Sequence, residues 1–262
     1  MVDEISMEQS LAVGSKNICT IDPAETSKPL IVRGVIKKDH MANCVAGNRD
    51  YYYIDTGYVG NFPSPGNQGG KKLWHRVVKN NLQHSVIRSV PEDRWNRLTE
   101  QDPRLVWTGW KNYDKKILLV LPNPKATRFY DIDCDTWVQS TIASIKQYSN
   151  LPIEIREKGT RTYRNREYSI YDAFDSGVYA TVAFNSIAAL ESVLYGIPAF
   201  VTVPCAATPL TSIDLSQLSN PVKPDLETIK KQCYNIAYGQ FTNEEIINGT
   251  AWKITQKYEI TN

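Results

Sequence analysis

The sequence lacks the signatures of several large protein classes. Its five cysteines are scattered and odd in number, with no Cys-x-x-Cys pair, which argues against a disulfide framework. The three histidines all lie in the first third of the chain, and none is paired with a cysteine or carboxylate at metal-ligand spacing. No apolar run approaches the roughly 20 residues of a membrane span. We therefore expect reduced thiols, no metal, no required cofactor and no membrane contact.

Three nucleotide and hydrolase motifs are also missing. The sequence contains no GxGxxG, no GxxxxGK[ST] and no GxSxG, which argues against dinucleotide oxidoreductases, P-loop NTPases and serine hydrolases of the elbow type. The acidic, polar stretch MVDEISMEQS is unlike a secretory signal peptide. These observations predict a soluble, cytoplasmic protein, and no protein partner is predicted.

Charge is balanced overall but unevenly placed. The chain has 262 residues and a net charge of +2, so its global charge selects no partner. Residues 71–97 carry seven Lys and Arg against two carboxylates, and residues 156–166 carry five against one. Each basic island indicates a phosphate partner or, alternatively, an ordinary solvated face.

The apolar pattern predicts an α/β fold with a boundary near residues 108–115. Strands alternating with helices favour a parallel sheet covered on both faces. Residues 1–29 are predicted to be an irregular arm, residues 73–81 a short amphipathic segment, and the Pro-rich residues 122–127 a loop. Predicted strands are 30–35, 51–56, 116–121, 152–156, 178–184 and 199–203. Predicted helices are 36–47, 93–98, 135–149 with Asp135 as cap, 169–175, 187–195, 225–238 and 243–252.

The stretch from Val178 to Thr202 is the clearest unit in the chain. A β-branched strand leads into Asn185-Ser186, whose side chains can accept hydrogen bonds from the free amides of the next helix. Gly196 fits the end of that helix. The helix is apolar except for Glu191, the one residue that packing alone does not explain.

The run AFNSIAALESVLYGIPAFV resembles the nucleotide-sugar site of GT-B glycosyltransferases, including capsule-polysaccharide transferases, and of related epimerases. The resemblance covers about residues 115–254. It implies a GT-B-like α/β fold of two Rossmann-like lobes with parallel sheets, the donor lying between them. Residues 1–112 would form the acceptor-side lobe and 113–262 the donor lobe, the last helix crossing back. Asn185 and Ser186 would hold the donor phosphates, and Glu191 the ribose hydroxyls.

The N-terminal half carries a second resemblance. The run RGVIKKDHMANCVAGNRDYYYIDTGYVGN, with KLWHRVVKNNLQ and EDRW, is similar to small glycosyltransferase-like proteins of T-even-type and related bacteriophages. This implies a hexosyl- or pentosyltransferase in the host cytoplasm. It would use a nucleotide-sugar, expected to be a UDP-sugar, to modify hydroxymethylated pyrimidines such as hydroxymethylcytosine in double-stranded phage DNA. The alternatives are a polysaccharide or other glycan acceptor, and a non-catalytic nucleotide- or nucleic-acid-binding module.

Inverting glycosyl transfer needs a general base for the acceptor hydroxyl. Asp55 is the candidate because it ends an apolar strand, where open α/β sheets place their ligands. His75 and His40 are alternatives, and an aspartate that merely caps a turn is the simpler interpretation.

The donor diphosphate needs cations or amide dipoles at the same sheet edge. Side chains that follow predicted strands are the candidates, although each could be ordinary surface charge or a turn. These donor-binding candidates are Arg33, Gly34, Lys125, Thr127, Arg156 and Lys158.

The first basic island, with its interleaved aromatic residues, is typical of a surface that contacts a phosphate backbone. A target base in a duplex would have to be flipped out to reach the donor. If the aromatic residues instead belong to the core, this interpretation fails. The predicted DNA contacts are Lys71, Lys72, His75, Arg76 and Lys79.

Overall fold

The computed structural model describes residues 6–61, 73–157 and 169–259. In this part of the chain the fold is mixed α/β, with two four-stranded sheets. Three residues with predicted roles, Lys71, Lys72 and Lys158, lie outside the described ranges. Among the described residues, no helix has both the length and the apolar character needed to cross a membrane.

The elements follow one another in chain order. The strands are β1 (Leu30–Arg33), β2 (Tyr51–Thr56), β3 (Trp74–Lys79), β4 (Lys116–Val120), β5 (Ile153–Arg156), β6 (Val178–Ala183), β7 (Ala199–Val201) and β8 (Gln240–Thr242). The helices are α1 (Met7–Gly14), α2 (Lys38–Ala46), α3 (Asp93–Gln101), α4 (Pro124–Phe129), α5 (Cys134–Tyr148), α6 (Ile170–Asp175), α7 (Ala188–Leu194), α8 (Leu226–Ala237), α9 (Asn243–Ile247) and α10 (Thr250–Lys257).

The chain divides into two compact units. Unit 1 comprises Met1–Asp102 and Cys233–Asn262, and unit 2 comprises Pro103–Gln232. The chain first passes between the units after Asp102, which precedes the predicted boundary at residues 112/113. It returns to unit 1 after Gln232, which lies within α8.

The sheet of unit 1 has the order β1-β2-β3-β8. β1 and β2 are parallel, but β3 is antiparallel to both of its neighbours. The prediction of a parallel sheet is therefore wrong for most of this unit. The sheet is mixed because residues 74–79 form the strand β3 and not the predicted amphipathic segment. Their burial alternates as in a strand, with His75 and Val77 buried.

Two helical regions of unit 1 also differ from prediction. The irregular arm contains α1, which begins with a capping box in which Ser6 and Gln9 exchange side-chain and backbone hydrogen bonds. The last predicted helix is divided by Gly249, which has a φ of +86° and separates α9 from α10. On α10, Trp252 packs against Tyr52, with ring centroids 5.0 Å apart.

The sheet of unit 2 is entirely parallel, with the order β5-β4-β6-β7. The predicted parallel sheet is confirmed here. α5 connects β4 to β5, and its cap is Asp133, not the predicted Asp135, because Asp133 Oδ1 accepts from Thr136 N at 2.8 Å. The strands bury a continuous apolar layer whose members include Ile117, Leu119, Val182, Phe184 and Phe200.

Gly196 is expected to be essential for the stability of unit 2. Its φ is +87°, and an added Cβ would overlap the carbonyl oxygen of Gly109. Gly196→Ala should therefore lower the free energy of unfolding in urea by about 3 kcal/mol or more, because backbone strain and overpacking add.

Gly34→Ala is the matched control for this substitution. Gly34 also has a positive φ, +71°, but an added Cβ would meet no atom within 4 Å. It should cost only the strain, about 1–3 kcal/mol. Equal losses at the two glycines would contradict a steric role for Gly196.

Candidate functional site

The order of strands in unit 2 creates a topological switch point. The chain leaves β4 toward β5 on one side, and it leaves β6 toward β7 on the other. Val120 and Ala183 are partners at the carboxyl ends of β4 and β6, so these ends lie side by side. Open parallel sheets bind ligands at such a reversal. The segments after β4 and β6 therefore form the candidate ligand site of unit 2.

The turn after β6 carries Asn185 and Ser186, both half-buried. Ser186 Oγ accepts from Ala188 N at 3.2 Å, and the Ser186 carbonyl accepts from Ala189 N at 3.1 Å. α7 begins one residue later than predicted, so Ile187 occupies the cap position and forms no side-chain cap hydrogen bond. The predicted cap is therefore wrong, although Ser186 still accepts from the first amide of the helix. Short polar side chains occupy the end of the strand at the switch point.

α7 presents one polar residue that the sheet does not bury. Six of its seven residues are buried, and Glu191 is half-buried. The orientation of the helix is fixed by Ser192, whose hydroxyl hydrogen-bonds with Thr181 Oγ1 at 2.8 Å and with the carbonyl of Ile197 at 3.1 Å. Because Ser192 faces the sheet, its neighbour Glu191 is turned away from the centre of the core.

The segment after β4 is the start of a helix and not the predicted loop. Asn123 caps α4 and accepts from Lys125 N at 2.8 Å, with Pro124 in the first helical position. Lys125 is exposed next to the switch point. Thr127 is buried, and its hydroxyl donates to the Pro124 carbonyl at 3.2 Å. Lys125 is therefore exposed beside the switch point, whereas Thr127 is engaged within its own helix.

Arg156 lies further from the switch point. It ends β5, on the side of β4 opposite β6, and its carbonyl accepts from Leu121 N at 3.0 Å. One additional strand spacing, about 4.8 Å, therefore separates its backbone from the end of β6.

Three predicted residues lie at one sheet edge of unit 1. β1 and β2 are parallel, and Gly34 N donates to the Ile54 carbonyl at 3.1 Å, which places Gly34 beside the end of β2. Arg33 forms an ion pair with Glu8 at 3.5 Å. The structure thus brings Arg33 and Gly34 near Asp55, as their positions after parallel strands predict.

Asp55 is held firmly within unit 1. Its Oδ2 accepts from Arg76 Nη2 at 3.1 Å and from the Tyr53 hydroxyl at 2.8 Å, and its Oδ1 accepts from Thr56 N at 2.7 Å. The side chain is 37% exposed. Asp55 is therefore an oriented and accessible carboxylate, and the ion pair with Arg76 is a contact that the sequence did not reveal.

Most described cations of the first basic island have internal partners. Arg76 also donates to the Thr56 and Leu82 carbonyls. Lys79 pairs with Asp50 at 2.8 Å and with Glu259. His75 is 6% exposed within β3. The described part of the island therefore does not support the predicted DNA-binding surface.

Two further arginines of the island, half-buried Arg88 and buried Arg94, reinforce this point. Arg88 donates to the side chain and carbonyl of Asn235. Arg94 forms an ion pair with Glu245 and donates to the Gln240 carbonyl. These partners are distant in sequence, so a local charge count could not reveal them.

His40 and His84 occupy contrasting places in unit 1. His40 lies half-buried on α2. His84 is 8% exposed, and its Nδ1 lies 2.9 Å from the Tyr58 hydroxyl, which also accepts from His84 N. Burial, aided by the positive charges of Arg88 and Arg76, holds the pKa of His84 well below its ordinary value of 6.5. His84 is thus a neutral structural residue.

Comparisons with known proteins found similarity among solved structures. No protein-family model matches the chain, and no curated protein matches it. Among solved structures, the beta Kdo 2,4 transferase of Thermosulfurimonas dismutans KpsC is similar at 12% identity and a TM-score of 0.49, over 81% of this chain and 80% of that one. The beta Kdo 2,7 transferase of the same protein gives 11% identity and 0.49, over 86% and 85%.

The burial of neutral His84 predicts acid sensitivity. Below about pH 6.5 the unfolded chain takes up a proton that folded His84 does not, so stability falls as pH is lowered. The contribution of His84 to this slope approaches about 1.4 kcal/mol per pH unit. Urea unfolding across this range should show a shallower pH dependence for His84→Gln than for the wild type.

Gln83→Ala is the control, since it alters the residue before His84 and leaves the imidazole in place. It should retain the wild-type slope. Parallel stability curves for His84→Gln and the wild type would refute this role of His84.

Proposed function

We propose that this protein is a glycosyltransferase and that unit 2 binds its nucleotide-sugar donor. One observation carries the proposal. At the β4/β6 switch point, the Asn185-Ser186 turn leads into a helix in which only Glu191 escapes burial. The run that forms this turn and helix is the one that resembles a nucleotide-sugar site.

The side chains around the switch point match the parts of a nucleotide-sugar. A diphosphate is bound by hydrogen-bond donors and cations, which the Asn185 amide, the Ser186 hydroxyl and Lys125 can provide. A carboxylate such as Glu191 can accept from both ribose hydroxyls. Glu191 lies five residues beyond Ser186, roughly 7.5 Å along a helix axis, which suits a ligand with phosphate at one end and ribose at the other.

The proposed reaction is displacement of the nucleoside diphosphate by an acceptor hydroxyl. The acceptor oxygen forms a bond to the anomeric carbon, the bond from that carbon to the diphosphate breaks, and a base takes the acceptor proton. Donors at the switch point stabilise the departing diphosphate. Asp55 is the proposed base, and Arg76 and Tyr53 hold its carboxylate in position.

We favour a polysaccharide or other glycan as the acceptor. The resemblance to capsule-polysaccharide transferases lies in the run AFNSIAALESVLYGIPAFV, which forms the proposed donor site. The alternative, hydroxymethylated DNA, depends on a basic island whose described cations largely pair within unit 1. A UDP-sugar is the first donor to test, and binding without transfer would instead indicate a non-catalytic module.

Glu191→Gln is expected to weaken binding of the nucleotide-sugar about tenfold or more, because it removes charge-assisted hydrogen bonds to the ribose. Titration calorimetry with the donor checks this. Glu227→Gln is the matched control, because Glu227 is an exposed helical glutamate of unit 2 and forms an ion pair with Lys231 at 3.5 Å. Equal donor affinity for Glu191→Gln and Glu227→Gln would remove Glu191 from the site.

Asp55→Asn is expected to reduce kcat by about 10²–10⁴-fold while leaving donor affinity unchanged, because the variant cannot accept the acceptor proton. The measurement is turnover under saturating donor, with the thermal midpoint recorded in parallel. Asp50→Asn is the control, since it breaks the ion pair with Lys79 beside the opposite end of β2. Unchanged turnover in Asp55→Asn would transfer the base role to His75 or His40.

A further inference from the structure

β5 forms one edge of the sheet in unit 2. β4 pairs with one side of it, and within the described ranges no strand pairs with the other. The carbonyls of Pro152 and Arg156 accept from Ile117 N at 2.9 Å and Leu121 N at 3.0 Å. Because backbone groups alternate in direction along a strand, those of Glu154 also face β4. The backbone groups of Ile153 and Ile155 therefore face outward and are suited to pair with an added strand.

An apolar groove lies beside this edge, between the end of α5 and β5. Its volume is about 590 Å³. Ile155 is 49% exposed, and Tyr148 at the end of α5 is 45% exposed. An unpaired strand edge next to exposed apolar side chains is typical of a surface that receives a further strand. Residues that line the groove include Ile142, Lys146, Leu151, Pro152, Ile153 and Ile155.

We propose that the strand received here is β5 of a second copy of this chain, in antiparallel pairing about a two-fold axis. The unit 2 sheets of the two copies, each four-stranded, would then form one continuous sheet. The two-fold axis would be perpendicular to that sheet, so both Ile155 side chains lie on the same face. The two apolar grooves therefore meet there and shield each other from water.

The charges of β5 select one register for this pairing. Only registers that oppose residues with outward-facing backbone groups can form the ladder, so the two-fold axis can pass Ile153, Glu154, Ile155 or Arg156. An axis at Ile153 places Glu154 opposite Pro152 and gains no opposite-charge pair. An axis at Glu154 opposes two glutamates, and an axis at Arg156 opposes two arginines.

Glu154 already forms an ion pair with Lys116 of β4. An axis at Ile155 places this Glu154 opposite Arg156 of the partner subunit, twice by symmetry, so the arginine would join the existing pair. Opposite charges stabilise cross-strand pairs and like charges destabilise them, so the axis lies at Ile155.

Sedimentation velocity over the micromolar range tests the dimer. The wild type should sediment with twice the monomer mass of 29.7 kDa. Ile155→Pro removes the outward N–H but leaves the ladder to β4 intact, so the dimer should dissociate about tenfold more readily, or more. Ile155→Val is the control and should remain dimeric. A monomeric wild type overturns the proposal, as does a dimer that Ile155→Pro does not weaken.

Charge reversal provides a test that does not depend on proline. Glu154→Arg or Arg156→Glu alone places like charges opposite each other and should weaken the dimer about tenfold. The double substitution restores opposite charges and should restore the dimer. If the double variant is no tighter than either single variant, the proposed register is wrong.

Disulfide trapping tests the register directly. In the proposed pairing the two Ile155 Cα atoms are about 5.5 Å apart, within the range of a disulfide. Mild oxidation should therefore link two copies of the Ile155→Cys variant and leave Glu154→Cys unlinked. Efficient linking of Glu154→Cys, or none of Ile155→Cys, contradicts an axis at Ile155.

Discussion

The hydrogen bond between the buried hydroxyls of Ser192 and Thr181 fixes the orientation of α7 on the sheet of unit 2. A buried hydroxyl without a partner is costly, so this pair tolerates little rotation of the helix. The orientation buries the apolar residues of α7 and leaves Glu191 at the border of the core. Gly196 then ends the helix and lets the chain return as β7. The position of Glu191, the proposed partner of the ribose hydroxyls, thus depends on the contact that its neighbour Ser192 makes with Thr181.

Unit 1 uses its charges in a different way. Arg76, Arg88 and Arg94 donate to carbonyls or carboxylates of the same unit and connect elements that are far apart in sequence. A buried guanidinium must be paired with several acceptors to be tolerated. These arginines therefore stabilise the unit, and Arg76 additionally orients Asp55. Asp55, the proposed base, is accessible because it lies near the end of β2, where Arg76 contacts it at the edge of the sheet.

The sequence predicted the parallel sheet of unit 2 well because its signals are local. Strand runs, the Ser186 turn and Gly196 each act within a few residues, so the pattern itself shows the βαβ unit. The partners of Arg76 and Arg94 lie elsewhere in the chain, and no local pattern identifies them. The pairing of β3 with β2 was missed for the same reason, because it joins separate parts of the chain. That pairing places Arg76 opposite Asp55. Pro124 and the Asn123 cap were local signals of α4, but the Pro-rich segment favoured a loop.

The central claim is that a nucleotide-sugar binds at the β4/β6 switch point. Backbone amide chemical-shift mapping of the isotope-labelled protein, titrated with a UDP-sugar and then a panel of other nucleotide-sugars, tests it most directly. We predict that at least one donor produces saturable shifts concentrated in residues 121–125 and 184–191. No shift in these segments with any donor, or saturable shifts confined to unit 1, would contradict the account.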